Sequence, residues 1–321
     1  MENPSKSPSK VKYKVANWKA YNASLKKRGG FTLWIEEKLL RDWRGIDVRN
    51  KVVGEKIYPD SIIEFCLVIG SLYHQRLRQT IGLVESILTC HGLSGVAVPN
   101  FSTLSGRAGS LPVLISPKIK QGKTICIGAD STGLKVFGEG EWKVRKHGAG
   151  KRRVWKKMHI AIDLETNEIV NVCLTGNKID DAKAAVGLLS DKKEQIKAFY
   201  GDGAYDDFEF RAFLGKDIAH IIPPPCDAVE HKPTKRKTIP DYLEQRNKAV
   251  VAILTTTRKE WKISIGYHKR SLNETVMFRY KATFGGNLHA RSDINQETEV
   301  KIKCNILNRF TRYGRPKSQK I

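Results

Sequence analysis

The sequence predicts an α/β fold in which a helical N-terminal region with a helix-turn-helix precedes a mixed sheet covered by helices. Apolar residues recur at helical spacing before residue 110. From Thr124 onward, short β-rich runs alternate with helical segments. Their order is three strands, helix, strand, helix, strand and a late helix, which suits a mixed sheet covered by helices.

Residues 1–30 read as a basic flexible arm, beginning with the polar, Pro4- and Pro8-containing stretch Met1–Lys14. Residues 31–115 read as a helical DNA-binding region. Within it Ile62, Phe65, Cys66, Ile69 and Tyr73 share one helical face, and Ser61 with Glu64 forms a capping-box pattern after Pro59. A second helix runs from Thr80 through Leu83, Val84, Ile87 and Leu88, with Gly92 as its stop. A turn containing Gly95 and Pro99 leads to Asn100–Arg107, completing a helix-turn-helix pattern. Its second helix can enter a major groove with Ser102, Thr103 and Arg107 toward the bases, although ordinary helix bundles share this pattern.

The second part begins near Ser110–Lys123 and spans residues 120–321. Thr124–Ala129, Met158–Ile162 and Ile169–Thr175 are its first strands, and Asp180–Leu189 a helix capped by Asp180-Asp181. Ile196–Tyr200 is a buried strand, Asp206–Leu214 a helix, and His220–Ile222 a strand ended by Pro223-Pro224-Pro225. Cys226–Pro240 reads as a basic surface loop.

The chain has 57 Lys and Arg against 33 Asp and Glu, a net charge of +24 and a pI near 9.8. Such charge repels itself in a compact state, so a polyanion is the natural partner, with an anionic membrane surface as the alternative. The longest apolar run, Ile62–Tyr73, contains Glu64 and is too short to span a bilayer. Six widely spaced cysteines without a C-x-x-C pair argue against structural zinc and disulfides, and for a reducing cytosol.

Asp130 and Asp202 each follow an apolar strand and have glycines close by. Strand ends in an open sheet border the ligand crevice, and small residues let a bulky phosphodiester approach. Either acid alone reads equally well as a turn residue. Helical geometry brings Tyr267, Arg270, Glu274 and Lys281 within roughly 60° on one face, with Leu272, Met277 and Phe278 opposite for packing. Arg270 and Glu274 can also form a plain i,i+4 pair. Three carboxylates brought together repel one another, and hard divalent cations, Mg²⁺ or Mn²⁺ and as a pair, would relieve that conflict. Arg270 and Lys281 would then hold flanking phosphates. Asp206 is a minor candidate for metal support.

The stripe Tyr267-x2-Arg270-x3-Glu274-x6-Lys281 resembles the signature of bacterial insertion-sequence transposases of the DDE type, in the IS-five group of the IS-four superfamily. Asp130-Ser-Thr-Gly133 and Gly201-Asp202-Gly-Ala-Tyr-Asp206 resemble that family's acidic motifs, as does Gly138–Gly148 between them. The resemblance extends from the helix-turn-helix region to Gly314-Arg-Pro316. It implies a ribonuclease H-like catalytic domain with Asp130, Asp202 and Glu274 as catalytic, metal-holding residues. It also implies cleavage at element ends and strand transfer into target DNA. The partners implied are double-stranded DNA, as terminal inverted repeats and target, and a second copy of the chain in a homodimer or higher assembly. The location implied is a bacterial cytoplasm, at the nucleoid, with no membrane association. The alternatives are a non-catalytic DNA-binding protein (a repressor or domesticated transposase) and a ribonuclease H-like structure-specific nuclease.

Between Trp142 and Lys157 lie Lys143, Arg145, Lys146, Lys151, Arg152, Arg153, Lys156 and Lys157, with no acid among them. These cations suit phosphates, and Trp155, like Trp142, suits stacking on exposed bases. A basic hairpin with its tryptophans packed on the core is the alternative. Lys232–Lys237 is a second basic cluster.

Overall fold

The computed structural model describes residues 13–46, 57–119, 122–137, 154–233 and 238–321. Residues 13–30, expected as part of a flexible arm, are folded instead. Strand β1 (Tyr13–Val15) pairs antiparallel with Ser318–Lys320 at the other end of the chain. Helix α1 (Trp18–Arg28) follows, and the Arg28 guanidinium donates to the Gly314 carbonyl at 3.0 Å. Contacts to the C-terminus thus order a segment whose own sequence is too polar to fold alone. Residues 1–12 of that arm lie outside the described residues.

Helices α2 (Glu37–Arg44), α3 (Asp60–Leu72), α4 (Leu77–Cys90) and α5 (Phe101–Ala108) make up the helical region. The capping box is absent: Ser61 lies inside α3 and its hydroxyl donates to Asp42 at 2.6 Å. Gly92 ends α4 as expected, at φ 71°, with the Leu93 N–H returning to the Leu88 carbonyl. The connections depart from the expected helix-turn-helix. Residues 91–100 separate α4 from α5, too long for a turn of three or four residues. The short turn is instead Tyr73–Arg76 between α3 and α4, where His74 takes the left-handed conformation at φ 54°.

The sheet is built from β2 (Ile125–Phe137), β3 (Val154–Asp163), β4 (Ile169–Gly176), β5 (Ile196–Tyr200) and β6 (Ala219–Ile221). Its spatial order is β4-β3-β2-β5-β6. The β3 strand is antiparallel to both β2 and β4, whereas β5 is parallel to both β2 and β6. Helix α6 (Asp181–Leu189) links β4 to β5, and α7 (Phe208–Leu214) links β5 to β6. Helices α8 (Asp241–Thr255), α9 (Arg258–Ser264), α10 (Ser271–Phe284) and α11 (Asp293–Tyr313) complete the chain.

Period-two alternation divides the strand side chains between two cores. Ile125, Ile127, Ala129 and Phe199 face a cluster under α6 and α7. Leu134, Met158, Ile160 and Tyr200 face a larger cluster, shared with α2–α5, α10 and α11. The N-terminal helices and the sheet therefore have one continuous core. The fold is a mixed, open sheet flanked by helices with N-terminal helices packed onto it, consistent with a ribonuclease H-like architecture.

Candidate active site

Asp130 does not end its strand. The pairing of β2 with β3 continues to Phe137, whereas its parallel pairing with β5 stops at Gly128. Asp130 therefore stands just beyond the parallel segment and Asp202 just beyond the end of β5. Both carboxylates border the crevice that opens where the two parallel strands part.

Helix α10 brings the third acid to this crevice. Asn273 is buried, and its amide donates to the Ala129 carbonyl at 3.0 Å. That bond joins the neighbours of Glu274 and Asp130, so the two acids meet across 144 residues of sequence. Gly128 allows the approach: a Cβ there would lie 2.4 Å from the Asn273 Oδ1. The sequence signals that could have revealed the contact are a glycine within an apolar strand and an Asn on the packing side of a helix.

The Tyr267–Lys281 stripe is not one continuous α-helix. Tyr267–Arg270 form a 3₁₀ turn after the left-handed Gly266, and α10 begins at Ser271. The packing face is Asn273, Val276, Met277, Tyr280 and Phe284; Phe278, expected there, is 72% exposed. Lys281 is exposed. Arg270 is directed into the site, donating to Asp130 Oδ2 at 3.1 Å and to Glu274 Oε1 at 2.8 Å. Its fork thus spans two of the three acids as well as making the expected i,i+4 pair.

Burial pushes the Asp130 carboxyl above its ordinary value, and Asp202 and Glu274 add to this; the Ser131 N–H and Arg270 oppose it. Burial also works against the charged form of Arg270, but Tyr267, Asp130, Asp202 and Glu274 outweigh it, leaving this guanidinium held above its ordinary value. Asp202 Oδ1 accepts from the Ala204 N–H at 2.9 Å. Buried Tyr205 lies beside Asp130, Asp202 and Asp181, with its phenol raised mainly by burial.

Asp181 was expected only to cap a helix. It accepts from the Ser131 hydroxyl at 2.9 Å and from Lys157 Nζ at 3.1 Å. Buried His159 holds Thr175 at 2.7 Å and presents Nδ1 3.6 Å from the same acid. Sequence reading missed this brace because its members come from three different elements. Asp206 is removed from the site: it is buried in ion pairs with Arg211 at 2.7 Å and Arg246 at 3.1 Å. Asp207 does cap α7.

The expected DNA contacts are dispersed. Ser102 is exposed on α5, its hydroxyl donating to Asn100, and Thr103 is partly buried with its N–H capped by the same side chain. Arg107 turns inward to the Tyr58 carbonyl and Asp60. Trp155 is 40% exposed and packs against Gly133. Lys156 pairs with Asp293 at 2.7 Å, while Lys157 serves Asp181. Trp142, Lys143, Arg145, Lys146, Lys151, Arg152 and Arg153 lie outside the described residues, as do Gly138–Gly148 and residues 234–237.

Brought together, the three carboxylates would be an all-oxygen donor set suited to a hard divalent cation. Among the described residues, however, no three His, Cys, Asp or Glu side chains converge closely enough to hold one. Arg270 lies between two of the expected ligands instead. Nor is any helix among the described residues long and apolar enough to cross a membrane.

An open mixed sheet with two aspartates at its parting strands, and a late-helix glutamate linked to the first of them through an arginine, defines a class of acidic-site α/β proteins. The transposase DDE domain is the family: one model of that description matches residues 121–309 and another matches residues 26–139. The chain belongs to this family. Among solved structures it is similar to a cryo-electron microscopy structure of a piggyBac transposase synaptic complex with hairpin DNA. The two are 12% identical, with 88% of this chain and 80% of that chain covered, at a TM-score of 0.27.

Proposed function

We propose that the protein is an insertion-sequence transposase of the IS-five group of the IS-four superfamily, cutting DNA at the element's terminal inverted repeats and joining the freed ends to target DNA. The observation that carries this reading is the meeting of Asp130 and Glu274 on the Arg270 fork, with Asp202 close enough to perturb both Asp130 and Arg270. A helix capped or solvated by local acids has no use for carboxylates drawn from three distant elements.

In this reading Asp130, Asp202 and Glu274 are the ligands for Mg²⁺ or Mn²⁺. Bound ions would supply activation of an attacking hydroxyl and neutralisation of phosphate charge. Arg270 already balances the acids, and its guanidinium fork could turn to a phosphate once bound ions neutralise those carboxylates. Tyr267, partly buried with its phenol raised chiefly by burial, flanks Arg270. Lys281 lies exposed further along the same helix, suited to a flanking phosphate. Pairing two element ends calls for at least two copies of the chain.

Cleavage and strand transfer on duplexes carrying the terminal repeats test the proposal. Activity is expected with Mg²⁺ or Mn²⁺, to vanish with EDTA, and to fall to background in Glu274→Gln while DNA binding persists. Activity that survives Glu274→Gln, or that requires no divalent ion, overturns it.

A further inference from the structure

Asp130 and Ser131 leave β2 on opposite faces of the sheet, as adjacent strand residues must. Asp130 faces the turn that leads into α10, where Arg270 reaches it, and Ser131 faces α6, where Asp181 accepts its hydroxyl. The strand needs support at this point. Its parallel pairing with β5 ends at Gly128, and among the described residues the next backbone partner on that edge is Asn287, which meets Lys135. Side chains fill the interval. Asn273 holds the Ala129 carbonyl from one side and Asp181 holds the Ser131 hydroxyl from the other, so the residue between them is braced from both.

Asp181 gathers more than Ser131. Its Oδ2 takes the Ser131 hydroxyl, while Oδ1 takes Lys157 Nζ and lies 3.6 Å from His159 Nδ1. Ser131 and His159 are direct cross-strand partners, and His159 in turn holds the Thr175 hydroxyl on β4. One carboxylate thus joins β2 and β3, and β4 through His159. Lys157 balances its charge and also donates to the Ile179 carbonyl at 3.0 Å, which fixes the entry to α6. An acid in the first turn of a helix also suits the helix dipole, but that role does not require both oxygens to face the sheet. Nor does α6 depend on this acid for its place, because Ala182, Ala185, Leu188 and Leu189 are buried in the smaller core.

We propose that Asp181 is a positioning residue for Asp130, acting through Ser131. The Ser131 N–H donates to Asp130 Oδ1 at 2.8 Å, so what fixes Ser131 also fixes the direction of that carboxylate. Arg270 holds the other oxygen, Oδ2. With the hydroxyl anchored to Asp181, Ser131 cannot turn its N–H away, and Asp130 keeps one orientation on a stretch of strand that lacks a neighbour on one edge. Misplacing a reacting group by about an ångström costs on the order of a hundredfold in rate. The consequence for rate rests on the transposase reading, whereas the hold on Asp130 does not.

The test compares S131A, D181A, their double variant and S131T in the full chain. Hydrogen exchange of the residue-131 amide, followed by nuclear magnetic resonance, reports its bond to Asp130 without any substrate. Exchange is expected to speed up by about tenfold or more in S131A and in D181A, with urea midpoints close to wild type. S131T, which keeps the hydroxyl, is expected to restore the slow exchange. On terminal-repeat duplexes the single variants should lower kcat by about ten- to a hundredfold with KM little changed. The double variant should fall no further than the worse single one, because both act through one contact. Unchanged exchange at residue 131 in both single variants overturns the proposal. So does faster exchange at all amides alike with a lowered urea midpoint, which marks a merely structural role. A loss of cleavage in D181A that S131A does not share also overturns it, since Asp181 would then act without Ser131. Expected exchange in a wild-type chain that does not cleave overturns the transposase reading and leaves the positioning role standing.

Discussion

A methyl group on Gly128 would lie 2.4 Å from Asn273 Oδ1 and 2.8 Å from Leu164 Cδ2, closer than real carbon contacts allow. Neither neighbour can yield cheaply. Asn273 is 2% exposed and tethered to the Ala129 carbonyl, and Leu164 belongs to the larger core. Helix α10 would have to lift from β2, carrying Glu274 and Arg270 away from Asp130. Gly128→Ala should therefore destabilise the fold by about 1–3 kcal/mol and reduce cleavage more than DNA affinity. Urea melts alongside cleavage and binding assays would check this. A variant with wild-type melting and cleavage would show that α10 seats elsewhere.

At the scale of elements, α5 and α10 show what could be read from the sequence and what could not. The succession of strands and helices along the chain, the start of β5 and the helix after β4 followed from local periodicity, which short- and medium-range patterns encode directly. The three candidate acids stood out in the sequence because each lies in a short polar motif beside an apolar run. The brace formed by Asp181, Ser131 and Lys157 was not, since it depends on sheet register and on where α6 lands. Nor was the role of Arg107, whose partners Tyr58 and Asp60 precede it by more than forty residues. With those partners, Arg107 fastens α5 to the start of α3. Arg107→Ala should cost about 1–2 kcal/mol of stability, discounted because Asp60 is 47% exposed. It should change the salt slope of DNA binding little. A slope lowered by about one, with unchanged melting, would return Arg107 to the DNA surface.

At the scale of the whole molecule, acid should loosen the fold in two stages. Arg211 Nη1 donates to His220 Nδ1 at 3.2 Å, so a proton on that nitrogen would face a guanidinium inside the fold. Burial, with Arg211 adding to it, lowers His220 to about 4 from an ordinary 6.5. The unfolded chain then binds more protons between those values, and stability falls as pH drops from 6.5 toward 4, by up to about 1.4 kcal/mol per unit. Glu299 has the opposite chemistry but the same sign. Burial works against its charge, yet His289, Lys303 and the Ala290 N–H outweigh it and hold the carboxyl down to about 2, against an ordinary 4.5. Its contribution is complete above pH 4.5 and is lost as pH falls toward 2. The large net positive charge steepens both stages, so the wild-type profile alone does not isolate either group. His220→Gln does: the amide oxygen can accept from Arg211 but does not titrate. Its urea midpoint should vary less than that of the wild-type chain between pH 6.5 and 4, and the two should run parallel below pH 4. Parallel profiles across the upper window would show that His220 is not the group that sets it.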